Sequence, residues 1–204
     1  MELLINKVVS SILEIIVLSL VPFIWWLVTA RKNEKFFSWI GLKKIDSSKI
    51  KNVVKISVIV EACFILLSIL MLYAVRGVEE LATSDFTGLG AKAIPAILVY
   101  AVFNTALPEE ILFRGFIVKR ISNKFDLKVA NYVQSVIFGL VHGALFLKYV
   151  NSFTGIAITF FTMTIACWMG YINEKEADGS ILPSIAIHAV ANIFSGLVAA
   201  FTLI

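Results

Sequence analysis

Long apolar stretches dominate this chain and limit the folds open to it. Six of them are close to 20 residues or longer, and each carries few charges. A helix needs about 20 apolar residues to cross a bilayer, and lipid offers no partner to an unpaired backbone group. The predicted spans are Val8–Ala30, Val53–Val75, Ala93–Ile121, Val129–Leu147, Phe153–Ile172 and Ile181–Phe201. The sequence therefore predicts an all-α, polytopic transmembrane helix bundle.

The third predicted span is longer than a straight crossing requires. At about 1.5 Å per residue, Ala93–Ile121 exceeds a hydrocarbon core roughly 30 Å thick. Pro108 lies inside it, where a proline kinks or breaks a helix. Six spans are the first expectation, and a chain of seven segments stays open.

The composition agrees with a membrane protein and excludes other classes. Of the 204 residues, 59% are hydrophobic and 16% are charged, whereas soluble domains carry roughly 25% charged residues. The net charge of +4 does not indicate nucleic-acid binding, because the basic residues lie in loops between apolar stretches. The positive-inside rule predicts that the basic loops 31–52 and 119–128 are cytoplasmic.

Ionisable residues inside three different spans are the strongest functional signal. Glu109 and Glu110 lie in the third span, His142 in the fourth and His188 in the sixth. Such groups are costly at membrane depth and usually have a function. Counting residues from the span ends places them in one layer near the membrane centre, so they could form a single polar site.

Each of these groups has a partner at helical spacing. Glu110 and Arg114 are four residues apart and can form an ion pair, which leaves Glu109 to act as a general base or acid. Phe138 lies one turn before His142 and can shield its ring from water.

His188 and Asn192 share one face of their helix as well. Together they offer two donors for a developing oxyanion. The structural alternatives are an ion pair and interhelical hydrogen bonds.

In this order, the motifs Glu-Glu-x-x-x-Arg, Phe-x-x-x-His and His-x-x-x-Asn resemble the signature of the CPBP family of intramembrane proteases. This family includes CAAX proteases and bacteriocin-processing enzymes and is also labelled Abi. The resemblance covers about Ala93 to the C-terminus. The apolar stretches predict two N-terminal transmembrane helices in residues 1–90, and the resemblance implies a CPBP-like protease core in residues 91–204.

The resemblance also implies a role for each motif residue. Glu109 and His142 would activate the attacking water, and His188 and Asn192 would hold the oxyanion. Glu110, Arg114 and Phe138 would support this geometry. The implied activity is hydrolysis of a peptide bond in a substrate that is membrane-associated, prenylated or leader-bearing.

The sequence leaves a metal open as an alternative. Glu109, His142 and His188 could supply three zinc ligands and leave one position for water. We favour a glutamate-based, metal-independent mechanism, because no His-Glu-x-x-His motif is present and Asn192 suits an oxyanion better than zinc.

Two other functions compete with proteolysis. A non-proteolytic membrane protein could give bacteriocin immunity through binding, and a proton-coupled transporter could use Glu and His as a relay. The transporter is disfavoured because no internal repeat is found. The expected partners are the lipid bilayer and a peptide or protein substrate, with no nucleic acid, and the sequence specifies no oligomeric state.

Overall fold

Seven helices account for the fold in the computed structural model, which describes residues 1–78 and 81–204. No β-strand occurs within these two ranges. The helices are α1 (Glu2–Thr29), α2 (Phe36–Trp39), α3 (Ser47–Ala74), α4 (Gly90–Ser122), α5 (Leu127–Phe146), α6 (Ser152–Glu176) and α7 (Leu182–Ala200).

Six of these helices, all except α2, are long and apolar enough to cross a membrane. The predicted all-α fold and the six predicted spans are thus confirmed. Five of the helices begin one to six residues before the predicted spans, whereas α7 is one residue shorter than predicted at each end. The chain is a multi-pass membrane protein.

Helix α4 runs without a break through Pro108, so the alternative with seven segments is wrong. Its turns are π-helical over Tyr100–Ala106 and Ile111–Val118, on both sides of the α-helical turn Leu107–Glu110. Proline removes one backbone hydrogen bond, and local π-helical adjustments can satisfy the freed carbonyl groups. Single π-helical turns are frequent at functional sites.

The same helix lies at the centre of the bundle. In its most apolar window 50% of the residues are buried, compared with 11% for α1 and 17% for α3. Helices α5 and α6 form the closest pair. A Cβ atom on Gly139 of α5 would lie 2.6 Å from the carbonyl oxygen of Thr159 on α6, so glycine is needed at this contact.

Polar contacts join the acidic connection between α6 and α7 to the two basic loops. The Nζ atom of Lys119 lies 2.8 Å from Oε1 of Glu174, and Nζ of Lys49 lies 2.5 Å from Oδ1 of Asp178. The backbone N–H of Ile181 also donates to the carbonyl of Gly41. The connections α1–α3, α4–α5 and α6–α7 therefore lie on one side of the bundle. This agrees with the topology, because two membrane-crossing helices separate each of these connections from the next.

Candidate active site

Helices α4, α5 and α7 bring Glu109, His142 and His188 together. The Oε2 atom of Glu109 lies 3.9 Å from Nε2 of His142 and 3.9 Å from Nε2 of His188. This oxygen is buried and has no hydrogen-bond partner among the residues that the structure describes. The space between the three atoms suits one water molecule, because a hydrogen bond of about 2.8 Å can reach it from each of them.

The backbone of α5 fixes the orientation of His142. Its Nδ1 lies 2.9 Å from the carbonyl oxygen of Phe138. A carbonyl can only accept, so Nδ1 carries the proton and Nε2 of the neutral ring presents a lone pair to Glu109. The Phe138 ring packs against the imidazole with its centroid 4.2 Å away. The close spacing of the motif thus sets both the tautomer and the position of this ring.

A buried carboxylate fixes the second histidine. Oε1 of Glu110 accepts hydrogen bonds from Nη1 of Arg114 at 2.7 Å and from Nδ1 of His188 at 3.0 Å. Glu110 is fully buried, and Arg114 is 1% exposed. Such a charge pair in a low-dielectric interior is a rigid anchor, because breaking it would leave one buried charge unpaired.

Arg114 links the two histidines through a second contact. Its guanidinium lies over the Phe138 ring, 4.4 Å from the centroid, which is within cation–π distance. Through Glu110 it supports His188, and through Phe138 it supports His142. The residues that the sequence predicted as supporting thus form one cluster under both imidazoles.

Asn192 lies on the same helix as His188 and contacts a different residue of α4. Its Nδ2 donates to Oγ1 of Thr105 at 2.7 Å. The Thr105 hydroxyl itself donates to the carbonyl of Ala101 at 3.0 Å. Because that proton is used, the Thr105 oxygen can only accept, and the NH₂ group of Asn192 must face it. One N–H of this amide remains for another acceptor.

Two of these residues open into a cavity of about 210 Å³ between α3, α5, α6 and α7. His142 and Asn192 are its polar residues together with Ser68, Thr162 and Ser195, and the other walls are apolar, with Phe64 and Phe161 among them. The cavity gives a route by which a substrate could reach the two motif residues from between the helices.

The three candidate zinc ligands lie further apart than the ligand atoms of a tetrahedral zinc site. Tetrahedral zinc holds its N and O ligands at about 2.0–2.2 Å, so the ligand atoms lie roughly 3.4 Å apart. Oε2 of Glu109 lies 3.9 Å from Nε2 of His142 and 3.9 Å from Nε2 of His188. Over residues 1–78 and 81–204, no group of three or more His, Cys, Asp or Glu side chains has metal-binding geometry. Both separations are about 0.5 Å wider than in a zinc site, and the metal-independent mechanism stays a prediction.

Sequence reasoning missed two residues near the motifs. Thr105 carries no charge, and its contact with Asn192 joins two helices, so no spacing within one helix predicts it. Glu61, in the second predicted span, is an intramembrane acid outside the three motifs. It is 9% exposed, and neither carboxyl oxygen has a hydrogen-bond partner in the part of the chain that the structure describes. The unpaired charge at membrane depth was the available signal.

Comparison with known proteins identifies the family. The model of the family described as "Type II CAAX prenyl endopeptidase Rce1-like" matches residues 91–194, just over half of the chain. The chain belongs to this family and is a CAAX-type intramembrane protease. It matches no curated protein and no solved structure.

Proposed function

We propose that this protease hydrolyses a peptide bond with a water molecule activated by Glu109 and His142, without a metal. The observation that carries the proposal is the buried Oε2 of Glu109, which lies 3.9 Å from both Nε2 atoms and has no other partner in the described residues. A water held there contacts a carboxylate that can take its proton.

The reaction then follows from the directions of the polar atoms. The Glu109 carboxylate removes a proton from the water while the water oxygen attacks the carbonyl carbon of the substrate. The lone pair on Nε2 of His142 accepts the water's other hydrogen bond and orients the attack. Glu109 then passes the proton to the amide nitrogen, the oxyanion re-forms the carbonyl group as the C–N bond breaks, and a carboxylic acid and an amine are released.

Two donors stabilise the negative oxygen of the tetrahedral intermediate. One is the N–H of Asn192 that Thr105 does not use. The other is Nε2 of His188, which must carry a proton in this role, so that His188 acts as an imidazolium. The carboxylate of Glu110 at Nδ1 balances that charge. Removing one such donor typically costs 10²–10³-fold in kcat.

The substrate is a membrane-associated peptide or protein, and it reaches the site through the cavity beside His142 and Asn192. A prenylated protein ending in a CAAX sequence is the first candidate, since the family model is named for that substrate. A leader-bearing precursor is the second. The basic loops 31–52 and 119–128 face the cytoplasm, which impermeant thiol labelling of cysteines placed in them can check.

Purified protein incubated with a prenylated CAAX peptide and, separately, with a leader peptide tests this function. We expect one of them to be cleaved by the natural chain and by Glu14→Gln, an exposed acid on α1, and not by Glu109→Gln. A protein that cleaves neither peptide, but whose Glu109→Gln variant still protects cells from a bacteriocin, would instead be an immunity factor.

A further inference from the structure

Two unpaired polar side chains lie one turn apart on α3. Glu61 is nine-tenths buried, and neither its carboxyl oxygens nor Oγ of Ser57 has a hydrogen-bond partner among residues 1–78 and 81–204. A buried polar group without a partner costs about 1–3 kcal/mol, and more for a charged one. An unpaired acid at membrane depth is a candidate functional site.

Both residues line a groove of about 500 Å³ between α3 and α7. The rest of its wall is apolar. From α3 and the preceding loop it is formed by Ile45, Val53, Val54, Val58, Ala62 and Ile65, and from α7 by Leu182, Pro183, Ala186, Ile187 and Val190. The oxygens of Ser57 and Glu61 are buried beside this wall, so a bound segment must turn them into the groove.

The groove leads to the candidate active site. Ile187 and Val190, which line the groove, lie on either side of His188 in the sequence. Ile65 lines both this groove and the cavity that contains His142 and Asn192. A chain bound across the catalytic residues can therefore continue into the groove.

A substrate of a protease must be unwound next to the bond that is cut. An unwound segment in lipid exposes backbone N–H groups that lack partners. Ser57 and Glu61 are separated by about 6 Å along the helix axis. Alternate residues of an extended chain are separated by about 6.7 Å, so two alternate N–H groups match the two acceptors.

We propose that Ser57 and Glu61 accept hydrogen bonds from alternate backbone N–H groups of an extended, apolar substrate segment in the α3–α7 groove. The proposal rests on the proposed proteolytic function and defines a peptide-binding subsite beside it. The apolar walls take the side chains of the segment, and the two polar residues fix its register.

A scan with singly N-methylated peptides tests this subsite. The probe is whichever of the prenylated CAAX peptide and the leader peptide the natural chain cleaves, methylated at one backbone nitrogen at a time. We expect KM to rise about tenfold at two positions two residues apart, with little change in kcat. The effect at one position should vanish in Glu61→Leu and at the other in Ser57→Ala.

Three controls make the outcome decisive. Glu61→Gln keeps an acceptor oxygen and should retain the methylation effect. Glu14→Leu removes an exposed acid of α1 and should behave like the natural chain. Binding of the same peptides to Glu109→Gln, followed by fluorescence anisotropy, reports on the subsite without cleavage.

Methylation effects that persist unchanged in Glu61→Leu and Ser57→Ala would overturn the proposal, as would the absence of two sensitive positions two residues apart. Failure of the proposed function looks different. In that case no peptide is cleaved. Methylation at two positions two residues apart still weakens binding to Glu109→Gln in the anisotropy measurement, and a binding pattern without these two positions overturns the subsite as well.

Discussion

Glu110 and His188 form a hydrogen bond of 3.0 Å between Oε1 and Nδ1, and the neighbouring Glu109 faces the opposite nitrogen of the same ring. The two adjacent glutamates therefore contact opposite edges of one imidazole. The first holds the ring, and the second has an unpaired oxygen directed at the space between the histidines. The two consecutive acids thus have different contacts, because Glu110 is hydrogen-bonded to His188 and one carboxyl oxygen of Glu109 is unpaired.

Glu110→Gln should lower both activity and stability. The amide cannot neutralise Arg114, and a buried charge left without its partner costs about 3–5 kcal/mol. His188 also loses the acceptor at Nδ1 that orients it. We expect a thermal melt in detergent to shift down by several degrees and kcat to fall at least a hundredfold. Glu14→Gln is the matched control, and an unchanged melting temperature would contradict the buried ion pair.

Thr105→Val should reduce kcat and leave KM nearly unchanged. Valine has the same shape and no acceptor, so the Asn192 amide loses its hydrogen bond and its fixed orientation. Loss of an orienting partner typically costs about 10–100-fold. Thr105→Ser keeps the hydroxyl and should retain most of the activity. Equal activities of the valine and serine variants would show that Thr105 does not position Asn192.

Gly139→Leu should destabilise the bundle without touching a motif residue. Any Cβ at this position meets the backbone of α6, and forcing extra atoms into a packed contact costs about 1–3 kcal/mol. The neighbouring exposed residue provides the control, since Leu140→Ala should melt close to the natural chain. A Gly139→Leu melt that matches Leu140→Ala would mean that α5 and α6 are further apart than described.

Metal chelators should leave the cleavage rate unchanged. The spacing of Glu109, His142 and His188 is wider than zinc requires, and the mechanism routes the proton through Glu109 alone. The measurement is the initial rate after incubation with a strong chelator and dialysis. If the chelator abolishes activity and added Zn²⁺ restores it, the metal-independent mechanism is wrong and a metal activates the water.

Much of the fold and the motif geometry follows from local sequence rules. The apolar stretches predict the six spans, and four-residue spacing predicts the contacts of Glu110 with Arg114 and of Phe138 with His142. These contacts lie within one helix, so the 3.6-residue period fixes them. The roles of these residues in catalysis, and the division at residue 90, stay predictions.

Contacts between helices could not be predicted in this way. The bond from Glu110 to His188 and the contact of Asn192 with Thr105 depend on how α4 and α7 cross, and π-helical turns shift the register of α4 by an amount that no periodicity reveals. The burial of Glu61 depends on α3 packing against α7. Glu61 can be recognised as a candidate functional residue only once the structure shows that its carboxyl group has no hydrogen-bond partner among the described residues.

The central claim is that Glu109 activates the water, and a single comparison tests it most directly. Initial cleavage rates of Glu109→Gln and His142→Ala are measured beside the natural chain, with circular dichroism and thermal melts to show that all three fold. Both variants should be folded and should lose at least a thousandfold in kcat, because Glu109 is the carboxylate that lies between the two histidines. Cleavage by a folded Glu109→Gln within tenfold of the natural rate would contradict the mechanism.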